Sequence, residues 1–178
     1  MTINYIVKSK LVLEKIFVMK IKILVVFCIS FLIISSCKDK CKDVNCDNGT
    51  CVEGTCNCSE GYEGNDCGTE SRSKFIGSYV VNGTETCSVS GNSTLTGMSF
   101  TISNSSAAIN KITLNLGGGL LILTATVNGS SFTIIPTTIS VYSYSGSGTI
   151  NGNSVTCTIN SNDSFTPETC VYSLTGSK

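Results

Sequence analysis

Apolar residues follow two unlike patterns along this chain. From Ile23 to Ile34 they run together as Ile-Leu-Val-Val-Phe-Cys-Ile-Ser-Phe-Leu-Ile-Ile, twelve residues broken by one serine. From Phe75 onward they alternate with polar residues instead. Phe75, Gly77, Tyr79 and Val81 share one parity, as do Met98, Phe100 and Ile102, then Ile112, Leu114 and Leu116, and finally Cys170, Tyr172 and Leu174. A period of two marks half-buried strands, and no part of 75–178 carries a helical period. Between the two patterns, residues 41–67 hold few large apolar side chains but six cysteines.

Turn residues set the expected register. Leu123-Thr-Ala125-Thr-Val127 and Phe132-Thr-Ile134 flank Asn128-Gly129, a type I′ hairpin signal because both central positions need positive φ. A two-residue loop there predicts Ala125 opposite Phe132 and Leu123 opposite Ile134. Gly152-Asn153 predicts a second hairpin, with Ile150 opposite Val155 and Gly148 opposite Cys157. The expected fold of 75–178 is all β, with eight to ten short antiparallel strands in a barrel or sandwich. Ser, Thr, Asn and Gly supply 58 of its 104 residues. Disordered chains can be that polar, but they lack the β-branched and aromatic residues kept here in alternating runs.

Charge then narrows the chemistry. The chain has 12 Lys+Arg and 12 Asp+Glu. Residues 1–36 hold five lysines and one glutamate, leaving seven basic and eleven acidic residues in 37–178. Without a basic excess, nucleic acid is not an expected partner. The absence of histidine removes Ser-His-Asp and Cys-His catalysis and histidine metal ligation. In 75–178 the only charged residues are Glu85, Lys111, Asp163, Glu168 and Lys178. A glycosidase needs two facing carboxylates. Glu85 and Glu168 meet only if Cys87 and Cys170 do, and the three acids read as isolated, solvated charges. Gly117-Gly118-Gly119 precedes a strand and lacks the lysine of a phosphate loop. The expectation is a protein with no catalytic residues, no cofactor and no metal.

The continuous apolar run reads as a targeting segment. A ~30 Å hydrocarbon core takes about 20 residues of helix. Twelve residues fit instead the h-region of a signal peptide, with Lys20 and Lys22 before it. Met19 immediately precedes that pair, so translation is expected to start there. Ile34-Ser35-Ser36-Cys37 resembles a bacterial lipobox, in which an aliphatic and two small residues precede a cysteine that receives diacylglycerol. The resemblance implies removal of 1–36 and lipidation of Cys37. Several acyl chains, at ~0.8 kcal/mol per buried methylene, anchor a protein stably without spanning the membrane. Lys38-Asp39-Lys40, in the tether 37–40, is similar to the export tag of Bacteroidota surface lipoproteins. The expected location is the outer membrane, on the cell surface, with a periplasmic-facing anchor as the alternative.

The cysteines of 41–67 are spaced Cys41-x4-Cys46-x4-Cys51-x4-Cys56-x-Cys58-x8-Cys67. So short a segment buries too little to fold unaided, and export supplies the oxidising conditions in which disulfides persist. Spacing alone leaves fifteen pairings open. Cys56-Asn-Cys58-Ser-Glu-Gly61-Tyr62-Glu-Gly64-Asn-Asp-Cys67 resembles the C-terminal half of an EGF-like domain. That resemblance implies an EGF-like domain over 41–67 with bridges Cys41–Cys51, Cys46–Cys56 and Cys58–Cys67. Zinc would favour Cys-x2-Cys pairs, which are absent. Calcium-binding EGF-like modules carry acids before the first cysteine and Asn or Asp between the third and fourth. Here those places hold Lys38-Asp39-Lys40 and Val52-Glu53-Gly54-Thr55.

Residues 68–74 read as a polar linker. Of the three remaining cysteines, Cys87, Cys157 and Cys170, one is left over. A closed barrel brings early and late strands together and favours Cys87–Cys170, with Cys157 as a small buried hydrophobe. The competing pair is Cys157–Cys170.

Phe75-Ile-Gly77-Ser-Tyr79 and a closing strand near Lys178 resemble lipocalin-like domains of Bacteroidota lipoproteins. The expected function is a non-catalytic binding, adhesion or structural module at the cell surface. Its partner would be an extracellular protein or glycan, with the EGF-like domain as spacer. The alternative is a lipocalin-like carrier of a small apolar ligand. Large inward residues such as Phe100, Leu123 and Phe132 would fill a core, whereas a cavity needs small ones.

Overall fold

The structure, a computed structural model, describes residues 39–178; the apolar run, Met19 and Cys37 lie outside the described residues. Among those described there is no α-helix, and no helix is long and apolar enough to cross a membrane.

The disulfide-rich region consists of two short ribbons. Strand β1 (Gly49–Val52) pairs antiparallel with β2 (Thr55–Cys58). Glu53 and Gly54 join them at φ 53° and 87°, as a type I′ turn requires. Strand β3 (Tyr62–Glu63) pairs with β4 (Thr69–Glu70). Bridges join Cys46 to Cys56 and Cys58 to Cys67, and Cys41 and Cys51 are also disulfide-bonded. Closing loops of about ten residues removes on the order of 2–3 kcal/mol of unfolded-chain entropy per bridge. That stabilisation replaces the core this segment is too small to build.

Residues 68–74 are paired and partly buried. They contain β4 and then Arg72, only 8% exposed. The Arg72 Nη1 group donates to the carbonyls of Ser105 (2.9 Å), Ala108 (3.1 Å) and Lys111 (3.3 Å), and Nε donates to Glu70 (2.9 Å). Nearby, the Asn110 side chain donates to Glu60. A buried charge is tolerated when it is paired and hydrogen-bonded. Arg72 meets both conditions and ties the disulfide-rich region to the loop 105–110.

Eight strands then close a barrel: β5 (Gly77–Cys87), β6 (Gly91–Asn104), β7 (Lys111–Leu116), β8 (Leu121–Asn128), β9 (Ser131–Ile139), β10 (Tyr142–Asn151), β11 (Ser154–Asp163) and β12 (Thr169–Ser177). Each pairs antiparallel with its neighbours in sequence, and β12 returns to β5. Full closure leaves no exposed sheet edge, so the fold is a barrel and not a sandwich. The β12–β5 seam sets Cys170 opposite Cys87, and the two are bonded. Cys157 is free and buried, and burial pushes its thiol up to about 12.

The β10–β11 hairpin has the expected register, with Ile150 opposite Val155. The β8–β9 hairpin does not. Its loop is Gly129-Ser130, so Asn128 pairs with Ser131, Val127 with Phe132 and Ala125 with Ile134. Val127 is inward and 6% exposed. A loop at Asn128-Gly129 would set it opposite polar Ser130, whereas the observed register gives it Phe132. Because the difference is an even number of residues, no side chain changes face.

One end of the barrel, the base, is filled. Phe75 meets Phe132 edge-on with ring centroids 5.8 Å apart. Tyr79 donates its hydroxyl to the Phe75 carbonyl (2.6 Å). Lys178 Nζ donates to the carbonyls of Lys74 and Ile76 and lies 5.3 Å from the Tyr79 ring. Phe100, Leu123 and Phe132 are all buried in this core. A Cβ on Gly148 would collide with the Phe132 ring, so glycine there makes room for the aromatic.

Candidate functional site

An up-and-down barrel sends alternate connections to opposite ends. Loop 105–110 and the turns at Gly129-Ser130 and Gly152-Asn153 lie at the base. The connections 88–90, 117–120, 140–141 and 164–168 lie at the other end, the mouth. Toward the mouth the inward side chains turn polar. Those of β11 run Val155, Cys157, Ile159, Ser161, Asp163, all buried, and those of β5 end in Gly83, Glu85 and Cys87.

A β-bulge adds to the mouth's apolar floor. Val81 pairs with Met98 but Gly83 with Leu95, a shift of register. Gly97 sits at φ 63° and donates its N–H to the Asn82 side chain (2.8 Å). Glycine adopts this conformation without steric cost. Leu95 has the parity of outward-facing Ser99; past the bulge it packs against the core with Met98.

Two adjoining cavities result. The apolar one, about 350 Å³, is lined by Leu95, Met98, Leu116, Leu121, Ile159 and Leu174, with Leu120 at its edge. The polar one, about 340 Å³, is lined by Glu85, Asp163, Glu168, Tyr142, Ser161 and Ser93 among others. Tyr144 and Tyr172 line both.

The three acids of 75–178 are therefore not isolated, contrary to the sequence reading. The seam that bonds Cys87 to Cys170 also brings Glu85 of β5 next to the start of β12. Ser93 donates its hydroxyl to Glu85 (2.8 Å) and Ser90 its N–H to Glu168 (2.6 Å). Asp163 accepts from the Phe165 N–H (2.8 Å) and the Thr166 hydroxyl (2.6 Å). The Thr166 hydroxyl foremost, then the Phe165 N–H, hold Asp163 below the usual carboxylate range, and Ser90 does the same for Glu168. Both are ionised at neutral pH. Burial, then a hydrogen bond to Glu85, pushes the Tyr172 phenol up to about 12; Tyr144 is raised by burial and by Tyr142. The Glu85 carboxylate and the sulfurs of Cys87 and Cys170 lie within 4.8 Å of one another. Disulfide sulfur is no thiolate, so these are not a metal set.

Parity was the signal for these residues. Glu85 shares it with Tyr79 and Val81, and Asp163 with Val155 and Ile159, which puts both carboxylates on the inner face. Every connection at the mouth also carries an exposed apolar side chain: Val89, Leu120 (89% exposed), Val141 and Phe165 (84%). On the outer wall, Thr133, Ser147, Thr158, Ser173 and Thr84 lie side by side across five strands. Four of that row, Thr133, Ser147, Thr158 and Ser173, line a depression of about 430 Å³ that is more open to solvent than the two mouth cavities. The mouth combines an apolar floor, carboxylates, phenols and neutral donors. It can hold a molecule with an apolar body and a polar end.

No protein-family model matches the chain, and no curated protein matches it. Solved structures similar to this chain over part of their length include two from Bacteroides. One is a Bacteroides ovatus protein of unknown function, 14% identical, with 57% of this chain matching 40% of that one at a TM-score of 0.42. The other, provisionally named an outer membrane protein, is from Bacteroides fragilis NCTC 9343. It is 17% identical, with 61% of this chain matching 52% of that one at a TM-score of 0.45.

Proposed function

We propose that this protein is a lipid-anchored, non-catalytic binding protein of the outer membrane that holds a small ligand with an apolar portion in the mouth of its barrel. One observation carries this reading: the apolar cavity adjoins a space lined by carboxylates and phenols at the mouth, while the base is packed. Eight-stranded barrels have room either to fill completely or to hold one small ligand, and about 350 Å³ is within the range of ligand pockets. In this reading Cys37 carries the lipid, 37–40 is the tether, and 41–67 is an EGF-like spacer. The spacer is docked at the base through Arg72, opposite the mouth. The carrier role thus stands ahead of adhesion through the outer wall. A second reading, a protein or glycan partner seated on the rim, is favoured by exposed Val89, Leu120, Val141 and Phe165.

Two measurements test the proposal. Cys37→Ala should abolish labelling by a fatty-acid probe, and persistent labelling would exclude the anchor. A thermal-shift screen of small apolar and amphiphilic compounds should then give hits on the full-length Cys37→Ala chain. Those hits should disappear in Leu121→Glu, which charges the floor. Hits insensitive to that change, or partner capture that depends on Phe165 alone, would favour the rim.

A further inference from the structure

We infer that the ligand of the mouth is a cationic amphiphile, its apolar body seated on the floor and its positively charged head facing Glu85, Asp163 and Glu168. This rests on the mouth being the binding site and adds the charge of the head. The apolar cavity makes the site. The acids decide which head fits beside it.

Three carboxylates line the adjoining space of about 340 Å³. Their hydrogen-bond donors are neutral: the Ser93 and Thr166 hydroxyls, the Tyr172 phenol and the N–H groups of Ser90 and Phe165. Among the described residues no lysine or arginine pairs with any of them. The barrel's own cations are at the opposite end. Lys111 begins β7 at the base, and Lys178 is engaged with the carbonyls of Lys74 and Ile76. Negative charge therefore accumulates in a space partly shielded from water, where Coulomb interactions exceed their bulk strength. An anionic head would add to the repulsion and a neutral head would leave it standing. A cationic head relieves it. Tyr144 and Tyr172 line both cavities, and aromatic side chains are favourable neighbours of ammonium groups. Their phenols stay protonated at neutral pH and add no charge of their own.

The test is a calorimetric titration of the full-length Cys37→Ala chain with decyltrimethylammonium, decanol and decanoate, each below its micellar concentration. The cation should bind at least ~10-fold more tightly than decanoate, with decanol between them, and the ratio should shrink in ~0.5 M salt. In Glu85→Gln/Glu168→Gln the two charged probes should approach equal affinity. Should that variant not fold, the salt dependence of the unsubstituted mouth decides alone. Decanoate binding as tightly as the cation, or a ratio indifferent to salt, overturns the charge inference and leaves the mouth as an apolar site. Failure of all three probes to bind, or decanol binding that survives Leu121→Glu, overturns the mouth itself.

Discussion

Truncating Phe132 to alanine tests whether the base of the barrel is a packed core. The ring is 1% exposed, meets Phe75 edge-on at 5.8 Å, and fills the space that Gly148 leaves beside it. Removing a buried aromatic costs about 3–5 kcal/mol, the sum of lost transfer energy and the cavity left behind. The upper part of that range is expected here for two reasons. Gly148 has no side chain to move into the void, and β9 is held by hydrogen bonds to both β8 and β10, so the wall cannot collapse inward. The aromatic pair itself accounts for ~0.5–1.5 kcal/mol of the loss. Urea unfolding of the full chain with disulfides intact measures the change as a shift in midpoint at constant slope. Phe132→Leu, which retains most of the volume, should lose much less. A loss below about 1 kcal/mol for alanine would refute the packed base and extend the ligand cavity down the barrel.

Two further outcomes follow from the hydrogen bonds. Arg72→Met should cost ~2–4 kcal/mol, because it strands buried carbonyls that the guanidinium satisfies. It should also speed amide exchange at Lys111 and Val127, whose N–H groups bond into this loop; unchanged exchange would show that Arg72 is no clamp. Asp163 is held below its ordinary pKa. Its contribution to stability is thus complete above pH ~4 and is lost as pH falls through the lower folded value. Thr166→Val should raise the Asp163 pKa in an NMR titration and weaken the protein in acid, and an unmoved titration would exclude Thr166 as its principal donor.

Local chemistry made much of this fold legible in the sequence. Alternation assigned the strands and their inner faces, because a period of two depends only on the pleat of one strand. Gly152-Asn153 placed its hairpin correctly, because a two-residue turn determines its own register. The same alternation suits a sandwich as well as a barrel, and only the β12–β5 seam, joining residues 83 apart in sequence, distinguishes them. Asn128-Gly129 and Gly129-Ser130 were both possible loops, and the choice depended on what faces Val127. Leu95 faces the interior only because Gly97 interrupts the parity that its own strand implies. The carbonyls that hold Arg72 lie 33 to 39 residues further along the chain, beyond any local pattern. The mouth follows the same division. The inner faces of Glu85 and Asp163 could be read from parity, but their meeting with Glu168 in one cavity required the barrel to close. Strand geometry decides which way a side chain points, whereas closure decides which side chains it faces.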